Sequence, residues 1–150
     1  MIAFVGDGGF AMLMAEFLTA VRHRLPIKVV INNNALGQIL WEQMVLGYPE
    51  HGVRFAEPVA DFSAWARSCG GFGRKVTEAG ELDETVRAAL AHDGPALVDV
   101  DVDPDEPPMP GKVSYEQAKK FAEAFLRGQP RKASIASTLF KDKISQLRSG

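Results

Sequence analysis

Two short apolar runs, residues 2–5 (IAFV) and 27–31 (IKVVI), flank a segment in which Phe10, Leu13, Met14, Phe17, Leu18 and Val21 recur at helical spacing. The runs are too short for helices and the second is rich in β-branched residues, so both are predicted as strands. The segment between them, 10–22, is predicted as an amphipathic helix that Leu25-Pro26 ends. Strand, helix, strand at this spacing is a βαβ unit, which implies a parallel sheet and a right-handed crossover.

The alternation resumes after a less regular middle, residues 38–58, in which LWEQM reads as a short helix and GYPEHG carries turn chemistry. Asp61 is placed to cap a helix reaching Ser68, with Phe62, Trp65 and Ala66 inward. Residues 74–77 read as a strand, 81–91 as a helix with Leu82, Val86, Ala89 and Leu90 inward, and 96–102 (ALVDVDV) as another strand. Residues 103–111, DPDEPPMPG, form a proline-rich extended exit. Ser114 and Gln117 make a capping box for a helix with Ala118, Phe121, Ala122 and Phe125 on one face. A polar linker, 128–132, precedes a last amphipathic segment, IASTLFKDKISQL. The predicted fold is α/β, a doubly wound, mainly parallel sheet with helices on both faces. Residues 1–112 form the core and 113–150 a C-terminal helical extension.

Composition removes several function classes. A net charge of -2 gives no electrostatic reason to bind nucleic acid or an anionic membrane. Cys69 is the only cysteine, which excludes an internal disulfide and a cysteine metal cluster and suits a cytoplasmic protein; it reads as a small buried residue. No stretch is apolar for long enough to span a bilayer, and no signal peptide is recognisable.

What remains is the chemistry at the strand ends. The first strand runs into Gly6-Asp7-Gly8-Gly9, read as a turn, and the second into Asn32-Asn33-Asn34. In an open parallel sheet, ligands bind beyond the carboxyl ends of the strands, so the two turns can face one crevice. Asp7 offers a charged oxygen and Asn34 a neutral amide oxygen. Mg²⁺ favours a few such protein oxygens, with phosphate and water completing the octahedron. Gly8 and Gly9 allow the backbone to approach an anion at the start of the following helix. Each turn alone is ordinary turn chemistry; together they point to a diphosphate held with a metal.

The pattern GDG-x24-NN followed by Leu-Gly resembles the thiamine diphosphate signature of the pyruvate oxidase, acetolactate synthase and pyruvate decarboxylase superfamily. GDGGFAMLMAEFLTAV, LPIKVVINNNALGQI, DGPALVDVDVD and PPMPGKVSYEQAKKF are all similar to the C-terminal cofactor domain of pyruvate oxidases and quinone-dependent pyruvate dehydrogenases. The resemblance implies thiamine diphosphate and Mg²⁺ as cofactors and a 2-oxo acid as substrate. By position it makes Asp7 and Asn34 metal ligands and the Leu36 carbonyl the third. Gly8, Gly9 and Gly37 complete the cofactor-binding set. The step from Asn34 to Leu36-Gly37 is one residue shorter than in some members, and Asn32 replaces an apolar or small residue, which leaves the third ligand open. Acetolactate-synthase-like and decarboxylase-like domains are alternatives within the superfamily; a non-catalytic remnant acting in assembly is the alternative outside it.

In that superfamily the activating glutamate comes from a pyrimidine-binding domain, for which this chain offers no candidate. The sheet is therefore expected to be truncated on its N-terminal side, and the chain to be inactive alone. Uncovered apolar faces would favour a homo-oligomer or a partner chain carrying the pyrimidine domain. His23, His51 and His92 are dispersed and read as surface residues, His51 being the one that could approach a substrate. Glu42 reads as a solvated charge. Ile135, Leu139, Phe140, Ile144 and Leu147 form a stripe read as packing on protein; a membrane-surface helix is the alternative.

Overall fold

A computed structural model describes residues 1–52, 60–106 and 114–149. The chain divides into two compact units. Met1–Ala35 and the described residues of Phe55–Val102 form the first; the described residues of Leu36–Arg54 and Asp103–Gly150 form the second. The expected boundary at 112/113 and the proline run 107–111 lie outside the described residues.

The first unit is a four-stranded parallel sheet in the order β1-β2-β4-β3. β1 is Ile2–Gly6, β2 Lys28–Asn33, β3 Phe72–Val76 and β4 Ala96–Asp101. Side chains alternate across it, as the strand period requires. Val29, Ile31 and Leu97 face Phe10 and Phe17 from α1 (Asp7–Leu13) and α2 (Glu16–Arg22), and Phe62 and Ala66 from α4 (Phe62–Ser68). The Phe10 and Phe62 rings meet edge to face at 5.3 Å. On the other face Val76, Ala96 and Val98 pack with Ala89 of α5 (Leu82–Ala91) and with Val30. Helices therefore cover both faces, as the sequence implies. β1 is an edge strand whose Ile2 and Phe4 are 64% and 73% exposed.

Several local details differ from expectation. The helix expected over 10–22 begins at Asp7 and is two pieces, because Met14 and Ala15 tighten the chain. There Phe17 N–H donates to the Met14 carbonyl at 3.1 Å and Leu18 N–H to Ala15 at 3.0 Å, both spanning three residues. The Trp65 indole also donates to the Met14 carbonyl, at 3.4 Å. Asn32 and Asn33 belong to β2 rather than to a turn. Along α5 Ala89 is buried as expected, but Leu82 and Leu90 are exposed and Thr85 is buried.

The second unit is helical among its described residues: α3 (Gly37–Val45), α6 (Tyr115–Leu126) and α7 (Lys132–Ser149). The Ser114/Gln117 capping box is formed. Leu40, Trp41, Met44, Ala124 and Ile135 make its core, with Phe121, Phe125 and Leu139 against it. Trp41 stacks on Phe121 at 5.0 Å. Of α6's expected face, Ala118 and Ala122 are exposed and Ala124 is buried instead. Arg131 reaches the fully buried Asp105 at 2.7 Å. Of the C-terminal stripe, Ile135 is buried and Phe140 exposed; the side chain of Leu147 lies outside what is described.

Candidate functional site

β1 and β2 are hydrogen-bonded parallel neighbours in which Gly6 pairs with Asn32. Asp7 is the residue after β1, and Asn34 the residue after β2. The βαβ topology thus brings both to the carboxyl edge of adjacent strands, where this architecture places ligands. Asp7 is 2% exposed and Asn34 half-buried. Gly8 is half-buried and Gly9 exposed, both in the first turn of α1 rather than in a preceding loop.

The glycines here differ from Gly71 and Gly73 of the same unit. A Cβ built on Gly6 or Gly9 would meet nothing within 4 Å. On Gly71 it would come within 2.7 Å of the Phe17 ring, and on Gly73 within 2.1 Å of the Ser63 carbonyl. Packing therefore demands glycine at 71 and 73 but not at 6 or 9. Glycine inside a helix is unfavourable by roughly 0.5–1 kcal/mol relative to alanine. The space at the Gly9 Cβ position is open.

Leu36 and Gly37 belong to the second unit. Leu36 is the residue before α3, with a left-handed φ of 62°, and Ala35 before it has φ 54°. Two successive non-glycine residues in this region store backbone strain. The Leu36 carbonyl accepts from the amides of Ile39 at 3.0 Å and Leu40 at 3.2 Å, and Gly37 is buried at the start of the helix. Glu42 is exposed, accepting from the Gln38 amide at 3.2 Å. In this unit Gln43, Leu46, Tyr48, Pro49, Glu50 and His51 line a cavity of about 440 Å³.

Two residues of the first unit take places the sequence did not indicate: Asn33, read as turn chemistry, and Asp99, which had no assigned role. Asn33 is buried in β2, and Asp99 is fully buried in β4. Asn33 Nδ2 donates to Asp99 Oδ1 at 3.0 Å, and Phe62 N–H donates to Asp99 Oδ2 at 3.3 Å. Burial pushes the Asp99 carboxyl above its ordinary range, while the Asn33 hydrogen bond opposes the shift. The sequence signal was a carboxylate on an inward position of a buried strand, between Val98 and Val100. Among the described residues no cluster of three or more histidine, cysteine or carboxylate side chains could hold a metal. Mg²⁺ sites often use one or two carboxylates, with substrate phosphates and water as the remaining ligands.

Residues 1–100 match the family model of the thiamine pyrophosphate enzyme C-terminal TPP-binding domain, and the chain belongs to this family. Its cofactor is thiamine diphosphate, with Mg²⁺ as the usual partner. The chain is 46% identical over 127 residues to YdaP of Bacillus subtilis (strain 168), whose name gives it as thiamine pyrophosphate-containing. That match covers 84% of this chain and 22% of YdaP. Catabolic acetolactate synthase of Raoultella terrigena is 34% identical over 118 residues, covering 77% of this chain and 21% of the synthase. Among solved structures, the thiamine diphosphate-dependent 4-hydroxybenzoylformate decarboxylase of Rhodococcus jostii RHA1 matches with a TM-score of 0.62 and 27% identity, over 68% of this chain and 19% of that one. The chain thus spans only 22% and 21% of the first two relatives. Among the described residues no helix is long and apolar enough to cross a membrane.

Proposed function

We propose that this chain is the part of a 2-oxo acid enzyme that holds the diphosphate end of thiamine diphosphate. The observation that carries the reading is the placement of Asp7 and Asn34 at the ends of two adjacent parallel strands, beside the open backbone of Gly9. When bound, thiamine diphosphate supplies the nucleophilic carbon that adds to a 2-oxo acid. Asp7 and Asn34 would hold Mg²⁺ through their side-chain oxygens, and the backbone at Gly8 and Gly9 would meet the diphosphate. The Leu36 carbonyl, the third ligand that the resemblance implies, and Gly37 after it belong to the second unit.

Within this class the chain is a pyruvate oxidase or dehydrogenase domain, on the resemblance of its GDGGF, NNNALG and PPMPG segments. The acetolactate synthase and the decarboxylase among its relatives support a second reading, carbon–carbon bond formation or simple decarboxylation. The exposed Ile2 and Phe4 of the edge strand support assembly, with a second copy or with a chain carrying a pyrimidine-binding domain. The test is calorimetric titration with thiamine diphosphate, with Mg²⁺ or with chelator. Uptake that requires Mg²⁺ supports the reading; uptake indifferent to the metal, or none under either condition, contradicts it.

A further inference from the structure

Asn34, the amide ligand of the proposed clamp, lies in a turn whose shape is set from deeper in the sheet. Asn33 Oδ1 accepts from Ala35 N–H at 3.4 Å, closing an Asx turn around Asn34. An asparagine amide can present either its oxygen or its nitrogen in a given direction. Asp99 removes that freedom. Its Oδ1 lies 3.0 Å from the Asn33 nitrogen and can only accept while ionised, so the Asn33 oxygen is left to face Ala35. The second Asp99 oxygen is held by Phe62 N–H at the start of α4, which anchors the carboxylate itself. A carboxylate with no water contact is seldom the best filler for an apolar sheet, since a hydrophobic side chain of similar size often serves stability as well.

We infer that Asp99 is a positioning residue: through Asn33 and the Ala35 amide it fixes the turn that presents Asn34 to the metal and diphosphate. The inference rests on the reading of Asn34 as a ligand. Groups that orient a metal ligand from behind typically change metal affinity by roughly 10- to 100-fold when removed.

The experiment compares the intact chain with the Asp99→Asn, Asn33→Ala and Asp7→Ala variants, and with the exchange pair Asn33→Asp/Asp99→Asn. Each is titrated with thiamine diphosphate at saturating Mg²⁺, and exchange of the Ala35 amide is followed by NMR. Asp99→Asn should weaken uptake roughly 10- to 100-fold and speed Ala35 exchange, leaving the amides of α5 unchanged. Asn33→Ala should act similarly. The exchange pair rebuilds every hydrogen bond: an amide at 99 donates to a carboxylate at 33, which accepts from Ala35. It should recover most of the loss. Uptake abolished by Asp7→Ala but unchanged in Asp99→Asn and Asn33→Ala overturns the positioning role and leaves the clamp standing. Unchanged Ala35 exchange in Asp99→Asn overturns it independently of any uptake. Uptake unaffected by Asp7→Ala overturns the clamp and this inference with it.

Discussion

Gly73 of β3 lies directly beneath the Ser63 carbonyl of α4, so that a Cβ added to it would sit 2.1 Å from that oxygen and 3.0 Å from the Ala66 methyl. The atom in the way is helix backbone, which has no rotamer to change. Gly73→Ala must push α4 off the sheet. Overpacking of this kind costs about 1–3 kcal/mol, and backbone contact puts this site at the upper end. Urea denaturation should show the loss; an unchanged midpoint would mean that α4 does not seat on β3 as described.

Gly9 is the opposite case. Nothing in the chain occupies the space of its missing Cβ, and its position is helical. Gly9→Ala should raise stability by about 0.5–1 kcal/mol, the ordinary helix preference for alanine. It should also weaken uptake of thiamine diphosphate, because the methyl enters the space proposed for phosphate. Denaturation and titration of the same sample check both halves. A variant that binds as well as the parent would remove Gly9 from the site.

Asp61 caps α4, its Oδ1 accepting from the Ser63 hydroxyl at 2.6 Å and from Ala64 N–H at 2.7 Å. The Ser63 bond first, then Ala64 N–H and the charges of Arg67 and Lys75, hold its carboxyl below the ordinary 3.8 against the opposing effect of partial burial. A depressed carboxyl binds fewer protons folded than unfolded. Its contribution is therefore full above pH 3.8 and disappears as pH falls through the lower folded-state value. Asp61→Asn keeps a capping oxygen but does not titrate. Stability measured against pH should show parent and Asp61→Asn converging in that acid window, whereas Asp61→Ala should cost about 1 kcal/mol at neutral pH. Parallel acid profiles for parent and Asp61→Asn would contradict the assignment.

The sheet was legible because its signals are local: apolar β-branched runs, helical spacing between them, and a cap at Asp61. The start of α1 was misplaced because Gly8 and Gly9 look like turn residues, yet they complete a helical turn opened by Asp7. Asn33 was read as turn chemistry for a similar reason. Pairing with Asp101, and the Val102 amide donating to the Asn33 carbonyl at 3.0 Å, hold it in the strand, and no local propensity reports a partner 68 residues away. On α5, Ala89 is buried as expected, but the leucines at 82 and 90 are exposed and Thr85 is buried in their place. The site was half legible. The βαβ topology is enough to put Asp7 and Asn34 at one edge. The Asp99–Asn33 bond joins strands far apart in sequence, and no residue type at Ala35 or Leu36 signals their left-handed backbone.

The claim on which the account depends is that Asp7 binds the metal that carries the diphosphate. Calorimetry of the purified chain with thiamine diphosphate and Mg²⁺ tests it directly when repeated with Asp7→Ala. Loss of all Mg²⁺-dependent uptake, with the thermal transition of the variant still cooperative, is the predicted result. Uptake of equal affinity in the Asp7→Ala variant would contradict the clamp.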